Sequence, residues 1–125
     1  MPALNRVQLI GNLGKKPEMK LTPGGKKVTT FPVAVGQHWR GSDGEMKETT
    51  DWFNVEAWGR LAEICSEYLK KGSLVFLEGR LKTDRYEYQG ETRYFTKVIA
   101  NRLQMLDQRQ STEEPESGIE ELEID

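Results

Sequence analysis

Residues 51–72 read DWFNVEAWGRLAEICSEYLKKG, and the two halves of this stretch carry different periodicities. From Asp51 to Trp58 the period is two: Phe53, Val55 and Ala57 alternate with Trp52, Asn54, Glu56 and Trp58. Such alternation belongs to a strand with one face on a core, because successive side chains point to opposite sides. The small and medium apolar set is the natural core face. Two tryptophans are thereby left on the face that also carries an amide and a carboxylate. From about Arg60 to Lys71 the period becomes helical, with Leu61, Ile64, Cys65, Tyr68 and Leu69 at i, i+3, i+4, i+7 and i+8 in one apolar stripe. Lys70 and Lys71 suit the negative end of the helix dipole, and Gly72 is placed to cap it. Cys65 lies inside the stripe and reads as a small core residue, not as a nucleophile.

The flanking segments are strands. Val7, Leu9, Gly11 and Leu13 alternate with Arg6, Gln8, Ile10 and Asn12, and the pattern stops at Gly14 and Pro17. Thr22-Pro23-Gly24-Gly25 marks a turn. Lys27–Gln37 follows, with Phe31, Val33 and Val35 on one face, and then a loop rich in glycine and charge over Arg40–Thr50. Beyond the helix come Ser73–Tyr86 and Tyr94–Leu106, joined by the hairpin turn Tyr88-Gln89-Gly90-Glu91. Three strands, one helix and two strands in sequence predict a mainly all-β domain over residues 1–108. The order is that of a five-stranded Greek-key barrel of the oligonucleotide-binding (OB) type, with its α-helix between strands 3 and 4. Gln110–Asp125 lacks aromatics and is rich in Glu, Ser, Pro and Gly, so residues 109–125 are expected to form a disordered acidic tail.

The 125 residues carry 18 Lys and Arg against 20 Asp and Glu, a formal charge of −2 that hides an asymmetry. All 18 cations lie between Arg6 and Arg109, whereas seven acids lie in Ser111–Asp125, so the first 110 residues are net +5. A basic domain beside an acidic tail marks nucleic-acid binding or an interaction tail. With one cysteine, a disulfide within the chain and a cysteine zinc cluster are both excluded. His38 is the single histidine, which leaves metal and triad chemistry without ligands. Neither an enzyme nor a metal or cofactor is expected. Met1–Arg6 has no apolar leader, and the uncharged stretch Val28–Trp39 falls well short of the roughly 20 residues that span a bilayer.

The candidate site follows from the strand phase. One tryptophan is most often core or interface, but two indoles one strand period apart on a polar face read as a stacking platform for bases. Trp52 and Trp58 are that pair. Trp39 stands at a strand–loop junction beside Arg40, although its parity matches Phe31, Val33 and Val35. Tyr86 and Tyr88 flank the second hairpin with Lys82, Arg85 and Arg93 near in sequence, either to cover a groove or to pack across the strands. Lys15, Lys16, Lys20, Lys26, Lys27 and Lys47 complete a set of cations able to neutralise phosphates. Gly24-Gly25-Lys26-Lys27 is no phosphate-binding Walker loop, because the earlier glycine and the following Ser or Thr are missing.

An ordered set of short motifs resembles the bacterial single-stranded-DNA-binding proteins over residues 4–107. These are Gly11-Asn12-Leu13-Gly14-Lys15-Lys16-Pro17-Glu18, Gly44-Glu45-Met46-Lys47-Glu48, Asp51-Trp52, Trp58-Gly59-Arg60-Leu61-Ala62-Glu63, Tyr68-Leu69-Lys70-Lys71-Gly72-Ser73, Val75-Phe76-Leu77-Glu78-Gly79-Arg80-Leu81 and Gln104-Met105-Leu106. The resemblance implies an OB barrel, assembly as a homotetramer, and single-stranded DNA binding in replication, recombination and repair, in the cytoplasm and on the nucleoid. It implies base stacking at Trp39, Trp52 and Trp58, and at Tyr86, where many members have Trp. Phe53 falls where the family often has a His implicated in subunit contacts. Family members typically have a long Gly/Pro/Gln-rich linker and a terminal Pro-Phe pair after several acids. This sequence instead has Glu120-Glu121-Leu122-Glu123-Ile124-Asp125, an anionic, mildly apolar hook for partner proteins or a solubilising end that folds back on the basic groove. Two alternatives stand beside this reading: a specialised relative (primosomal or phage/plasmid-type, dimeric or RNA-binding), and an adaptor whose tail is the working part.

Overall fold

The structure, a computed structural model, describes residues 1–107 and 120–123. The strands are β1 (Val7–Leu13), β2 (Glu18–Leu21), β3 (Lys27–Arg40), β4 (Met46–Trp58), β5 (Leu74–Tyr88), β6 (Glu91–Met105) and β7 (Glu120–Glu123), with helix α1 (Gly59–Tyr68) between β4 and β5. Five of them close a barrel. β1 pairs antiparallel with β5 along Val7–Asn12 and with β3 at Asn12 and Leu13. β3 pairs with β4, and β5 with β6, as long antiparallel hairpins. β4 and β6 then meet in parallel at Val55–Val98 and Glu56–Ile99 to complete the ring. The fold is the expected OB barrel, with α1 after the third barrel strand. The short β2, which among the described residues pairs only with β3, is not expected from the sequence.

The inward faces supply Leu13, Phe31, Val33, Val55, Ala57, Val75, Leu77, Val98, Ala100 and Leu103 to one core, and α1 adds Leu61 and Cys65. Burial pushes the Cys65 thiol up to about 12, which keeps it protonated and inert. Thr29 is a fully buried polar residue of β3, and its hydroxyl donates to the Ala62 carbonyl at 2.7 Å, pinning the helix to the barrel. Two glycines permit the tight closure. A Cβ on Gly11 would come within 2.3 Å of the Ala34 carbonyl oxygen, and one on Gly79 within 2.0 Å of that of Ile99. Gly79 also stands at the register shift in the β5–β6 ladder.

Several boundaries differ from expectation, among them β5 and β6, which run on to Tyr88 and start at Glu91. The helix ends at Tyr68, not Lys71, because Leu69 takes an extended conformation and turns into the core, its N–H still donating to the Cys65 carbonyl at 3.1 Å. Gly72, at φ +92°, therefore does not cap the helix; its N–H donates to the Leu13 carbonyl at 2.9 Å and ties the following turn to β1. The expected Arg40–Thr50 loop shrinks to Gly41–Glu45, since β3 and β4 extend as a polar two-stranded arm beyond the core. The β5–β6 arm turns at Gln89 and Gly90, both at positive φ, as a type I′ turn requires.

Within the stretch expected to be disordered, Glu120–Glu123 forms β7, antiparallel to Arg102–Met105 of β6. That length of β6 has an open edge because β4 has already turned into α1, and an open edge accepts another strand. The remainder of residues 109–125, including Ile124 and Asp125, lies outside the described residues, apart from β7. Among the described residues no helix is long and apolar enough to cross a membrane.

Gly79→Ala must displace the facing backbone. It is expected to lower the unfolding free energy by about 1–3 kcal/mol, read as a lower urea midpoint at unchanged slope. An unchanged midpoint would show that the barrel has slack at this crossing.

Candidate nucleic-acid interface

Residues directly opposite in an antiparallel ladder share a face. Across β2, β3 and β4 the register sets Lys20, Val28 and Trp58 in one row and Glu18, Thr30 and Glu56 in the next. Pro32 with Asn54 and Ala34 with Trp52 follow. This is the outward face of the barrel: Trp52 is 60% exposed and Trp58 37%, whereas Val55 and Ala57 are buried. Both indoles therefore lie on the polar face, as the alternation requires. Trp58 donates its Nε1–H to Glu56 Oε1 at 2.9 Å. The Trp52 ring packs on Gly14, where a Cβ would come within 2.5 Å of it.

Ion pairs join this face to the second arm. Lys97 Nζ lies 2.9 Å from Glu56 Oε2 and 3.0 Å from Asp84 Oδ2, and Lys82 Nζ lies 3.0 Å from Asp84 Oδ1. The hydrogen bond from Lys97, then that from Lys82, holds the Asp84 carboxyl below the usual carboxylate range. The bond to Glu56 raises Lys97 despite its partial burial. The β5–β6 register carries the face onward through Lys82 with Lys97, Asp84 with Phe95, Tyr86 with Arg93, and Tyr88 with Glu91. Tyr86 is 45% exposed, and the Arg93 guanidinium sits 5.3 Å from the Tyr88 ring centroid, a cation–π contact. Between the β1–β2 turn and β6 runs a groove of about 400 Å³, with Lys15 and Lys16 on one side and Phe95 and Lys97 on the other.

The structure thus brings Trp52, Trp58, Tyr86, Tyr88, Lys15, Lys16, Lys20 and Lys82 to one side. It does not bring all the sequence candidates there. Trp39 pairs with Lys47 on the opposite face of the β3–β4 arm, although it is 45% exposed. Arg40 donates to the Gly44 carbonyl at 2.7 Å, and Lys47 lies 3.5 Å from Asp43, so both are engaged within their own loop. Lys27 pairs with Glu63 of α1 and draws that carboxyl below its usual range. Arg85 reaches Glu87 at 3.9 Å from the face opposite Tyr86, and Lys26 sits exposed on the β2–β3 turn. Sequence reasoning missed Gly14, Asp84, Phe95 and Lys97. Only pairing across strands distant in the chain makes them part of the site. Among the described residues no three of His, Cys, Asp or Glu stand together as a metal site.

Two outcomes follow from this geometry. Gly14→Ala is expected to push the Trp52 indole off its seat, shifting the Trp52 side-chain NH resonance while the remaining amide spectrum stays native; an unmoved resonance would deny the contact. Asp84 is expected to titrate below the ordinary aspartate range, held there first by the hydrogen bond from Lys97, and to move up in Lys97→Met. A depressed carboxyl favours the folded state above the ordinary carboxylate range, and that contribution fades as pH falls through its lowered value. A carboxyl-carbon titration that ignores the Lys97 change would dissolve the network.

Comparison with known proteins places the chain in a family. Residues 4–106 match the Single-strand binding protein family. The chain is 42% identical over 110 residues to Single-stranded DNA-binding protein 1 of Chlorobaculum tepidum, covering 86% of this chain and 68% of that protein. Among solved structures, a Plasmodium falciparum SSB in complex with single-stranded DNA superposes with a TM-score of 0.79 at 31% identity, over 86% of this chain and 98% of that one. A deletion mutant of the single-stranded DNA binding protein from Thermus aquaticus gives a TM-score of 0.70 at 31% identity, over 82% of this chain and 56% of that one. With the OB barrel and the aromatic outer face, these matches show that the chain belongs to the single-strand binding protein family.

Proposed function

We propose that the outward face of β4, continued along the β5–β6 arm, is the surface on which this chain binds single-stranded DNA. The observation that carries the reading is the exposure of two indoles on one polar face whose central acids, Glu56 and Asp84, are already neutralised by Lys97 and Lys82. Trp52, Trp58 and Tyr86 stack bases, and Trp39, on the other side of the β3–β4 arm, extends the path around it. Lys15, Lys16, Lys20 and Lys26, none of which forms an ion pair with a described residue, meet phosphates, with Arg40, Lys47, Lys82, Arg85 and Arg93 further along the arms. Stacking and charge do not read base edges, so the activity is binding with little sequence preference, not catalysis.

Residues 1–108 are the binding domain, and 109–125 are an acidic segment of which Glu120–Glu123 joins the domain's sheet as β7. Chains assemble as a homotetramer, in keeping with the family, and act in replication, recombination and repair on the nucleoid of the cytoplasm. The acidic end, Glu120, Glu121, Leu122, Glu123, Ile124 and Asp125, is the contact for partner proteins.

Tryptophan fluorescence titrated with oligo-dT should be quenched strongly, and hardly changed by duplex DNA. Affinity should fall as salt rises, because bound cations release counterions. Trp52→Ala should weaken binding by about 1–3 kcal/mol. Unquenched fluorescence from a folded sample would mean the indoles serve another purpose.

A further inference from the structure

The groove beside the tryptophans contains a large ring and two cations that stacking on Trp52, Trp58 and Tyr86 does not use. We propose that it is a nucleotide subsite of the same surface: one base of the single strand lies against Phe95 with its polar edge on Asn54, and the adjoining phosphate is met by Lys15 and Lys16. This rests on the reading of the outer face as the DNA-binding surface; it adds Phe95 and Asn54 to that surface and assigns Lys15 and Lys16 to one nucleotide of it.

Four observations converge on that occupant. The groove, about 400 Å³, falls in the size range of small-ligand sites. Phe95 is 44% exposed, and it stands in the polar outer half of β6 opposite Asp84 instead of in the core. A solvated ring in that setting offers a π-face to any base. Lys15 and Lys16 form no ion pair with a described residue, whereas Lys27, Lys47, Lys82 and Lys97 all do. The lining as a whole carries Lys15, Lys16 and Lys97 against Glu18 and Glu56, so it is net positive and suits an anion.

Continuity supplies the rest. Pro32 and Glu56 both line the groove. Pro32 pairs with Asn54 and accepts a hydrogen bond from the Gly14 N–H at 2.9 Å, next to the seat of Trp52. Glu56 accepts from Trp58. A strand passing from one indole to the other therefore crosses the mouth of the groove. Asn54, exposed between them, has both donor and acceptor to offer a base edge.

The test compares Phe95→Ala, Trp52→Ala and the Lys15→Gln/Lys16→Gln double variant in oligo-dT binding, beside photo-crosslinking of the unaltered protein to an oligonucleotide carrying 5-iododeoxyuridine. Phe95→Ala should weaken binding by about 5-fold or more. The double variant should flatten the salt dependence by about 0.7 for each lost phosphate contact. Crosslinked peptide should include Phe95. Full affinity in Phe95→Ala while Trp52→Ala is impaired, with no crosslink at Phe95, would overturn the subsite and leave the DNA-binding surface standing. A changed oligomeric state in Phe95→Ala at undiminished affinity would make the groove a subunit contact and also overturn it. If neither Phe95→Ala nor Trp52→Ala loses affinity and nothing crosslinks, the surface itself is misassigned.

Discussion

At Val55 and Glu56 the closure of the barrel and the construction of the outer face are one event. These two neighbours are where β4 meets β6 in parallel, and their side chains point to opposite sides. Val55 lies inside with Val98, both almost wholly buried. Glu56 lies outside, holding Lys97 on one oxygen and the Trp58 indole on the other. A slip of one residue in β4 would turn Glu56 and both indoles into the core and Val55 out to solvent, so the apolar core fixes the phase of the face that meets solvent. The aromatic platform needs no folding driving force of its own.

The Trp58–Glu56–Lys97–Asp84–Lys82 chain of contacts is better understood as placement than as stability. Ion pairs near a surface contribute little net free energy, because desolvation and side-chain ordering offset the Coulomb gain. What the chain achieves is geometric and electrostatic. It ties the β5–β6 arm to β4 across the parallel seam, and it cancels two carboxylates that would otherwise repel a phosphate backbone. The cations near the indoles that pair with no acid among the described residues, Lys15, Lys16 and Lys20, then set the local potential.

The alternation from Phe53 to Ala57 and the helical stripe from Leu61 to Leu69 made the core and the exposure of Trp52 and Trp58 legible in the sequence, because burial imposes a period on the residues it selects. The arms were less legible. Beyond Val35 and Asp51 both faces of the β3–β4 ladder are wet, so no hydrophobic period carries the strand past Gln37 or marks Met46–Thr50 as strand, and Arg40–Thr50 reads as loop. The helix end was misplaced for a related reason. Leu69 continues the stripe by position while leaving the helix by backbone, and only its packing into the core decides between the two. Partnerships across the seam were invisible: Lys97 lies 41 residues from Glu56, and nothing local distinguishes it from a solvated lysine.

The long arms also explain how so small a domain offers an extended track. Its core is filled by about a dozen residues, yet β3–β4 and β5–β6 run on past that core as two-stranded arms. On the barrel, Trp52 rests on Gly14 and Trp58 is held by Glu56, which suits stacking, an interaction sensitive to ring placement. On the arms the residues are Trp39, Arg40, Lys47, Tyr86, Tyr88 and Arg93, held by ladder hydrogen bonds and by local contacts such as Arg40 to Gly44 and Arg93 to Tyr88. Two-stranded ribbons without a packed face are weakly constrained. On the proposed reading the arms follow the flexible strand while the barrel holds it, each part with the kind of contact that its own stiffness allows.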